Sequence, residues 1–204
     1  MLLEIFPHNI DMRKIKQVVD CLRNGGLVIY PTDTVYGLGC DIYNKEAVEK
    51  ICRIKKVKPE KMNFSFICND LSHISDYTMN IDNPTYKLMK RCLPGPFTFI
   101  LKANNSVPKL FKNNKKTVGI RVPDNEIPRT IVRELGNPII TTSVHSEDDL
   151  IDYITDPNAI NQRYENLVDI IIDGGVGGYQ PSTVIDCTGN EPIVLREGLG
   201  KLDD

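Results

Sequence analysis

The sequence predicts an α/β fold: one domain built on a twisted, mixed parallel and antiparallel sheet with flanking helices. Three observations carry this. Apolar runs of strand length interleave with segments whose apolar residues recur at helical spacing, the pattern of a sheet covered by helices. In the second half several strand-like runs follow one another across short links, which argues against a wholly parallel, doubly wound sheet. The 204 residues hold no internal repeat and no low-complexity linker, so 1–204 reads as a single domain.

In chain order, Asp11 can cap a helix carrying Ile15, Val18, Val19 and Leu22 on one face, closed by Gly25-Gly26. The run Leu27-Val28-Ile29-Tyr30 is a buried strand, and residues 31–39, Pro-Thr-Asp-Thr-Val-Tyr-Gly-Leu-Gly, read as a tight polar loop at its end. A helix over 45–56 carries Val48, Ile51 and Cys52 inward. Phe64–Cys68 is a short strand, and Asp70–Tyr77 and Asn83–Cys92 read as helices. Leu93-Pro94-Gly95-Pro96 stops the second of these, since no helix continues through it. Strands follow at Thr98–Lys102, Thr117–Val122, Pro138–Thr142, Val168–Ile172, Thr183–Cys187 and Ile193–Arg196, with helices around 126–135 and 157–165.

Composition narrows the function classes. The chain is 41% hydrophobic and 25% charged, ordinary for a globular protein, and its net charge of −2 gives no global field toward nucleic acid or anionic lipid. Its 6 cysteines form no C-x-x-C pair, and Cys21, Cys52, Cys68 and Cys92 sit inside apolar patterns. That favours packed, reduced thiols over a disulfide frame or a zinc site. His8, His73 and His145 show no metal-ligand spacing, so no protein metal site is expected. No apolar run is long enough to span a bilayer and the N-terminus lacks a signal-peptide pattern, so no membrane partner and a cytoplasmic location are expected.

Four groups could carry chemistry. Thr32, Asp33 and Thr34 gather at a strand end, where ligands bind in open α/β sheets, and Gly37 and Gly39 let a ligand or backbone come close. Thr117 and Arg121 share one strand face, as do Thr141 and Ser143. The planar fork of Arg121 suits a carboxylate or phosphate, although such a residue can equally pair with an acidic neighbour. The glycine run 174–178 ending in Ser182-Thr183 can offer N–H groups and hydroxyls to phosphate, or be a plain solvent loop. Arg196 closes the last strand with a second guanidinium. Two lysine-rich clusters, Lys50, Arg53, Lys55, Lys56, Lys58 and Lys61, and Lys112, Lys115 and Lys116, read either as solvated faces or as clamps for a nucleotide or an RNA backbone. With no Gly-x-Ser-x-Gly elbow and no obvious nucleophile–base pair, positioning and charge stabilisation are the expected mechanism.

Six segments in order resemble the YrdC/YciO family, the threonylcarbamoyl-AMP synthase superfamily: Gly25-Gly26 through Gly39, Leu93-Pro94-Gly95-Pro96-Phe97-Thr98, Thr117 through Pro123, Thr141-Thr142-Ser143, Ser182-Thr183-Val184-Ile185-Asp186 and Leu195-Arg196-Glu197-Gly198. The resemblance implies a YrdC-like fold with a deep positive cavity. It implies an L-threonylcarbamoyladenylate synthase-like nucleotidyltransferase, which joins ATP, L-threonine and bicarbonate into threonylcarbamoyl-AMP and pyrophosphate for tRNA modification. A slow enzyme, or one acting in reverse on the same adenylate or tRNA, is within that reading, and Mg²⁺ is expected with the triphosphate. It assigns Thr34, Arg121, Thr141 and Ser182 to threonine, and Thr117, Ser143, Arg196, Lys55 and Lys58 to ATP and its phosphates, with Lys55 and Arg121 as the catalytic charges.

The family's Lys-x-Arg falls on Lys55-Lys56-Val57, its Ser-x-Asn on Ser143-Val144-His145, and the position of a threonine-facing histidine on Phe66, within Asn63-Phe64-Ser65-Phe66. These departures place the chain nearest the YciO branch. The alternative is a non-catalytic binder of double-stranded RNA or tRNA that uses the lysine cluster over 50–61 around the cavity.

Overall fold

In a computed structural model, the described residues are 1–62, 64–108, 116–145 and 153–202. Asn63, Lys112 and Lys115, named above, lie outside them. The elements run β1 (Leu2–Glu4), α1 (Met12–Arg23), β2 (Val28–Tyr30), β3 (Gly37–Asp41), α2 (Lys45–Ile54), β4 (Ser65–Ile67), α3 (Asn83–Cys92), β5 (Phe97–Lys102), β6 (Thr117–Arg121), α4 (Glu126–Leu135), β7 (Ile139–Ser143), α5 (Pro157–Tyr164), β8 (Ile170–Asp173), β9 (Thr183–Asp186) and β10 (Ile193–Arg196).

Local chemistry sets the helix starts. Asp11, Asn44, Asp82, Asn125 and Asp156 each accept a hydrogen bond from a backbone N–H of the first turn, satisfying a donor that has no partner within the helix. Gly136, with φ of 87°, ends α4 in the left-handed conformation that a side chain would disfavour.

Two expectations change, and one strand was not anticipated. Residues 70–77 form only a 3-10 turn over Ile74–Asp76, because Asp70 bonds the N–H of Ser72 and holds the preceding segment in a turn. The segment 31–39, read as loop, contains the start of β3. Its two glycines disguise a strand: a Cβ on Gly39 would stand 2.2 Å from the Ile140 carbonyl oxygen and 3.0 Å from the Tyr30 ring. Here glycine serves close strand packing. The edge strand β1 is too short and too exposed to show a period.

All ten strands form one sheet in the order β1-β8-β2-β3-β7-β4-β6-β5-β9-β10. It is mixed, as expected: β1–β8, β8–β2, β4–β6 and β5–β9 are parallel, and the other neighbours are antiparallel. Alternation divides the core between the two faces. Leu27, Ile29, Phe66, Ile140 and Ile171 pack on one side with α2 and α5. Val28, Tyr30, Ile67, Ile139 and Ile172 pack on the other with the apolar stripes of α1 and α4. On this second side, positions of the same parity turn polar along β6, β5 and β9, where a cavity takes the place of covering helix.

Candidate functional site

The cavity encloses about 1020 Å³, at the upper end of what drug-sized ligands occupy and more than an amino acid alone needs. Its walls come from the ends of β3, β4, β7 and β10 and its floor from β6, β5 and β9. Six of the residues expected at the site meet here: Thr117, Arg121, Thr141, Ser143, Ser182 and Arg196. Thr34 stands behind the wall, buried, with its hydroxyl bonded to Arg121. Lys55 also stands behind it: its ammonium donates to the Ser143 carbonyl at 2.7 Å. Lys58 is exposed and outside the wall, as are Lys50, Arg53, Lys56 and Lys61.

Arg121 is the centre of the inner end. Its Nη2 donates to Asp33 Oδ1 and to Thr34 Oγ1, both at 3.0 Å. Thr32 Oγ1 lies 3.1 Å from Thr34 Oγ1, accepts the Thr34 N–H and donates to the Val35 carbonyl. The polar strand-end segment therefore positions the arginine from below. Arg121 pairs with an acidic neighbour and also lines the cavity. The pair is dry, with side chains 8% and 9% exposed, and both Arg121 Nε and Asp33 Oδ2 are buried without a hydrogen bond among the described residues. Burial draws the Arg121 proton affinity below the usual arginine range, and the Asp33 carboxylate opposes that fall.

Beside this pair, the Ser182 and Thr98 hydroxyls lie 2.8 Å apart, and the Ser182 carbonyl accepts from Arg196 Nη2 at 2.8 Å and Nε at 3.2 Å. Arg196 is thus fixed by backbone and places its guanidinium at the cavity edge. Tyr30 is wholly buried beneath β3, which drives its phenol pKa up. Lys55, desolvated and repelled by the charge of Arg163, has its pKa drawn down to about 8.

The glycine run does not cradle an anion. The N–H groups of its four glycines are committed: Gly174 to the Tyr36 hydroxyl, Gly175 to Asp173, Gly177 to the Thr155 carbonyl and Gly178 to the Thr34 carbonyl. A Cβ on Gly178 would stand 2.6 Å from the Thr34 oxygen, so these glycines let the loop lie flat on the Thr32–Thr34 segment.

Thr98, Lys102, Ser65 and Asp186 also line the cavity and were not singled out from the sequence. A signal was present. Thr98 and Lys102 share the parity of β5, and Ser182 and Asp186 that of β9, as Thr117 and Arg121 do on β6. Among the described residues no group of three or more His, Cys, Asp or Glu gathers as a metal site, and no helix is long and apolar enough to cross a membrane.

The fold is an α/β protein with a mixed ten-stranded sheet and a cavity edged by two guanidinium groups, donors whose geometry suits carboxylates and phosphates. A family model for Sua5, YciO and YrdC, described as telomere recombination, matches residues 20–198, and the chain belongs to that family. Escherichia coli (strain K12) YciO, named as an uncharacterized protein, is 44% identical over 197 residues, covering 96% of this chain and 94% of YciO. The crystal structure of E. coli YciO superposes with a TM-score of 0.91 at 42% identity, covering 98% of this chain and 97% of that one. A threonylcarbamoyl-AMP synthase of Coxiella burnetii (strain RSA 493 / Nine Mile phase I) is 30% identical over 184 residues, 90% of this chain and 97% of the synthase. Sua5 of P. abyssi, crystallised with L-threonine, has a TM-score of 0.88 at 28% identity, covering 97% of this chain and 57% of the longer Sua5 chain.

Proposed function

We propose that this protein is an L-threonylcarbamoyladenylate synthase-like enzyme. The observation that carries the reading is the meeting of Thr117, Arg121, Thr141, Ser143, Ser182 and Arg196 around one cavity. A relative's complex with L-threonine and a synthase relative support it.

In this reading the inner end takes the amino acid. The carboxylate lies against Arg121, with the Thr141 and Ser182 hydroxyls on its remaining oxygens and Thr34 holding Arg121 in place. The amine and bicarbonate give a carbamate and water. A carbamate oxygen then attacks the α-phosphorus of ATP, a new O–P bond forms, and the α–β bridging bond breaks with release of pyrophosphate. Arg196, Thr117 and Ser143 face the phosphates, and Lys55, one layer behind Ser143, adds positive charge together with the more distant Lys58. Mg²⁺ enters as part of the substrate, carried by the triphosphate.

The test is purified protein with ATP, L-threonine and bicarbonate, with detection of pyrophosphate and of the mixed anhydride. Pyrophosphate release that requires threonine supports the reading. Absence of turnover, together with no heat of binding for threonine or ATP, overturns it. A tRNA- or duplex-RNA-binding role rests on the exposed Lys50, Arg53, Lys56, Lys58 and Lys61. It predicts affinity that falls steeply with salt and drops when Lys56 and Lys58 are neutralised.

A further inference from the structure

Four buried side-chain polar atoms make no hydrogen bond among the described residues, and three of them gather at the inner end of the cavity: the Tyr30 hydroxyl, Asp33 Oδ2 and Arg121 Nε. Scattered orphans would be packing imperfections, whereas a cluster of them marks a place where the fold accepts a cost. Asp33 and Arg121 are paired through their other atoms. Tyr30 has no other polar side-chain atom, and the residue is 0% exposed. Phenylalanine would fill the same space without burying an unpaired donor, so the phenol oxygen has no use in packing.

The two glycines of β3 aim that oxygen. A Cβ on Gly37 would stand 3.0 Å from the Tyr30 ring and 2.9 Å from Thr141 Oγ1, and a Cβ on Gly39 would stand 3.1 Å from the Tyr30 hydroxyl. The ring therefore lies along β3 with its hydroxyl at Gly39. Gly39 pairs with Thr141 on β7, and residues directly opposite in antiparallel strands share a face. With no side chain on either glycine, nothing on β3 stands between the phenol and Thr141, which lines the cavity. Burial pushes the phenol pKa up and Thr141 draws it partly back, so Tyr30 stays a protonated donor with Thr141 as its neighbour.

A threonine hydroxyl has one proton and two lone pairs. When Thr141 gives that proton to a ligand oxygen in the cavity, its lone pairs are left for the phenol behind it. We propose that Tyr30 is a positioning residue of the inner end: it donates to Thr141 and thereby commits the Thr141 hydroxyl to donate forward, to the carboxylate of the ligand. Each bond in such a chain polarises the next, so the contact from Thr141 to the anion is strengthened. This rests on the amino-acid-binding function proposed above and deepens it.

The experiment is a double-mutant cycle on Tyr30→Phe and Thr141→Val, read by calorimetric titration with L-threonine and by urea denaturation of each protein without ligand. Tyr30→Phe is expected to bind threonine about three- to tenfold more weakly, the range for one hydrogen bond. Its urea midpoint should equal or exceed that of wild type, because no hydrogen bond among the described residues is lost. In the Thr141→Val background the same change should alter affinity by no more than about twofold, the error of additivity, since the hydroxyl that Tyr30 supports is gone. L-Threonine is soluble enough to follow weak binding by Thr141→Val. Wild-type affinity in Tyr30→Phe overturns the proposal and leaves the amino-acid site in place, as does the full loss repeated in the Thr141→Val background. A lowered midpoint in Tyr30→Phe makes the phenol a structural element and overturns it as well. A wild-type protein that binds no threonine overturns it together with the reading on which it rests.

Discussion

Replacing Arg121 with methionine keeps the apolar stem of the side chain and removes its guanidinium, leaving the Asp33 carboxylate buried without its ion-pair partner. The magnitude follows from the burial of the pair, 8% and 9% exposed at 3.0 Å, with Asp33 Oδ2 already lacking a hydrogen bond among the described residues. Breaking such a pair on one side costs about 3–5 kcal/mol, because one charge is left uncompensated. The double variant Asp33→Asn, Arg121→Met removes both charges, and its remaining loss should be about 1 kcal/mol, the worth of the hydrogen bond from Arg121 to Thr34. Urea denaturation at neutral pH reads both, with an unchanged slope marking a comparable unfolding transition. A coupling of about 2 kcal/mol or more between the two sites is expected. Threonine affinity separates structure from function. It should fall by about 1.5–3 kcal/mol in the single and the double variant alike, since each lacks the fork for the ligand carboxylate. A single variant as stable as wild type, or a double variant no more stable than the single, would refute the buried pair. Wild-type threonine affinity in the folded double variant would remove Arg121 from the binding site.

Thr34→Val keeps shape but removes the hydroxyl that holds Arg121. Threonine affinity measured by calorimetry should fall by about 1 kcal/mol, less than for loss of Arg121 itself, and an unchanged value contradicts the positioning role. Gly39→Ala places a methyl group against the Ile140 carbonyl and the Tyr30 ring, so β3 and β7 must separate. A cost of about 1–3 kcal/mol is expected in a denaturation curve, and wild-type stability would contradict the strand register. Lys55 loses its proton near pH 8 in the folded chain, against an ordinary value of 10.5, so between these values the unfolded state holds more protons and stability from this group rises with pH. The difference in denaturation midpoint between wild type and Lys55→Met should therefore shift in favour of wild type from about pH 8 upward. A pH-independent difference would place Lys55 in water.

Much of the architecture was legible along the chain because it depends on local chemistry and on two short periods. Asp11 marks a helix start because an unsatisfied backbone donor needs a side-chain acceptor nearby in sequence, and Asp82, Asn125 and Asp156, not singled out along the chain, cap their helices in the same way. The parity of Thr117 and Arg121, and of Thr141 and Ser143, put each pair on one face, and all four line the cavity, since alternation is a property of every extended chain. Residues 31–39 were recognisable as a place where polar groups gather.

Long-range packing decided the rest. The two glycines of β3 have no local meaning, and only the approach of Tyr30 and Ile140 explains them. The glycine loop at 174–178 offered free amides on paper, and in the folded chain Tyr36, Thr34 and Thr155 had already taken them. Asp33 and Arg121 are 88 residues apart in sequence, so no window of residues could pair them. Lys55 and Lys58 differ by one turn of chain, yet one reaches the back of the cavity wall and the other faces water. Sequence patterns fix which way a side chain points from its own element, whereas a site depends on which elements then meet. That is set by sheet order and helix coverage, and here it leaves β6, β5 and β9 open on the face where α1 and α4 stop.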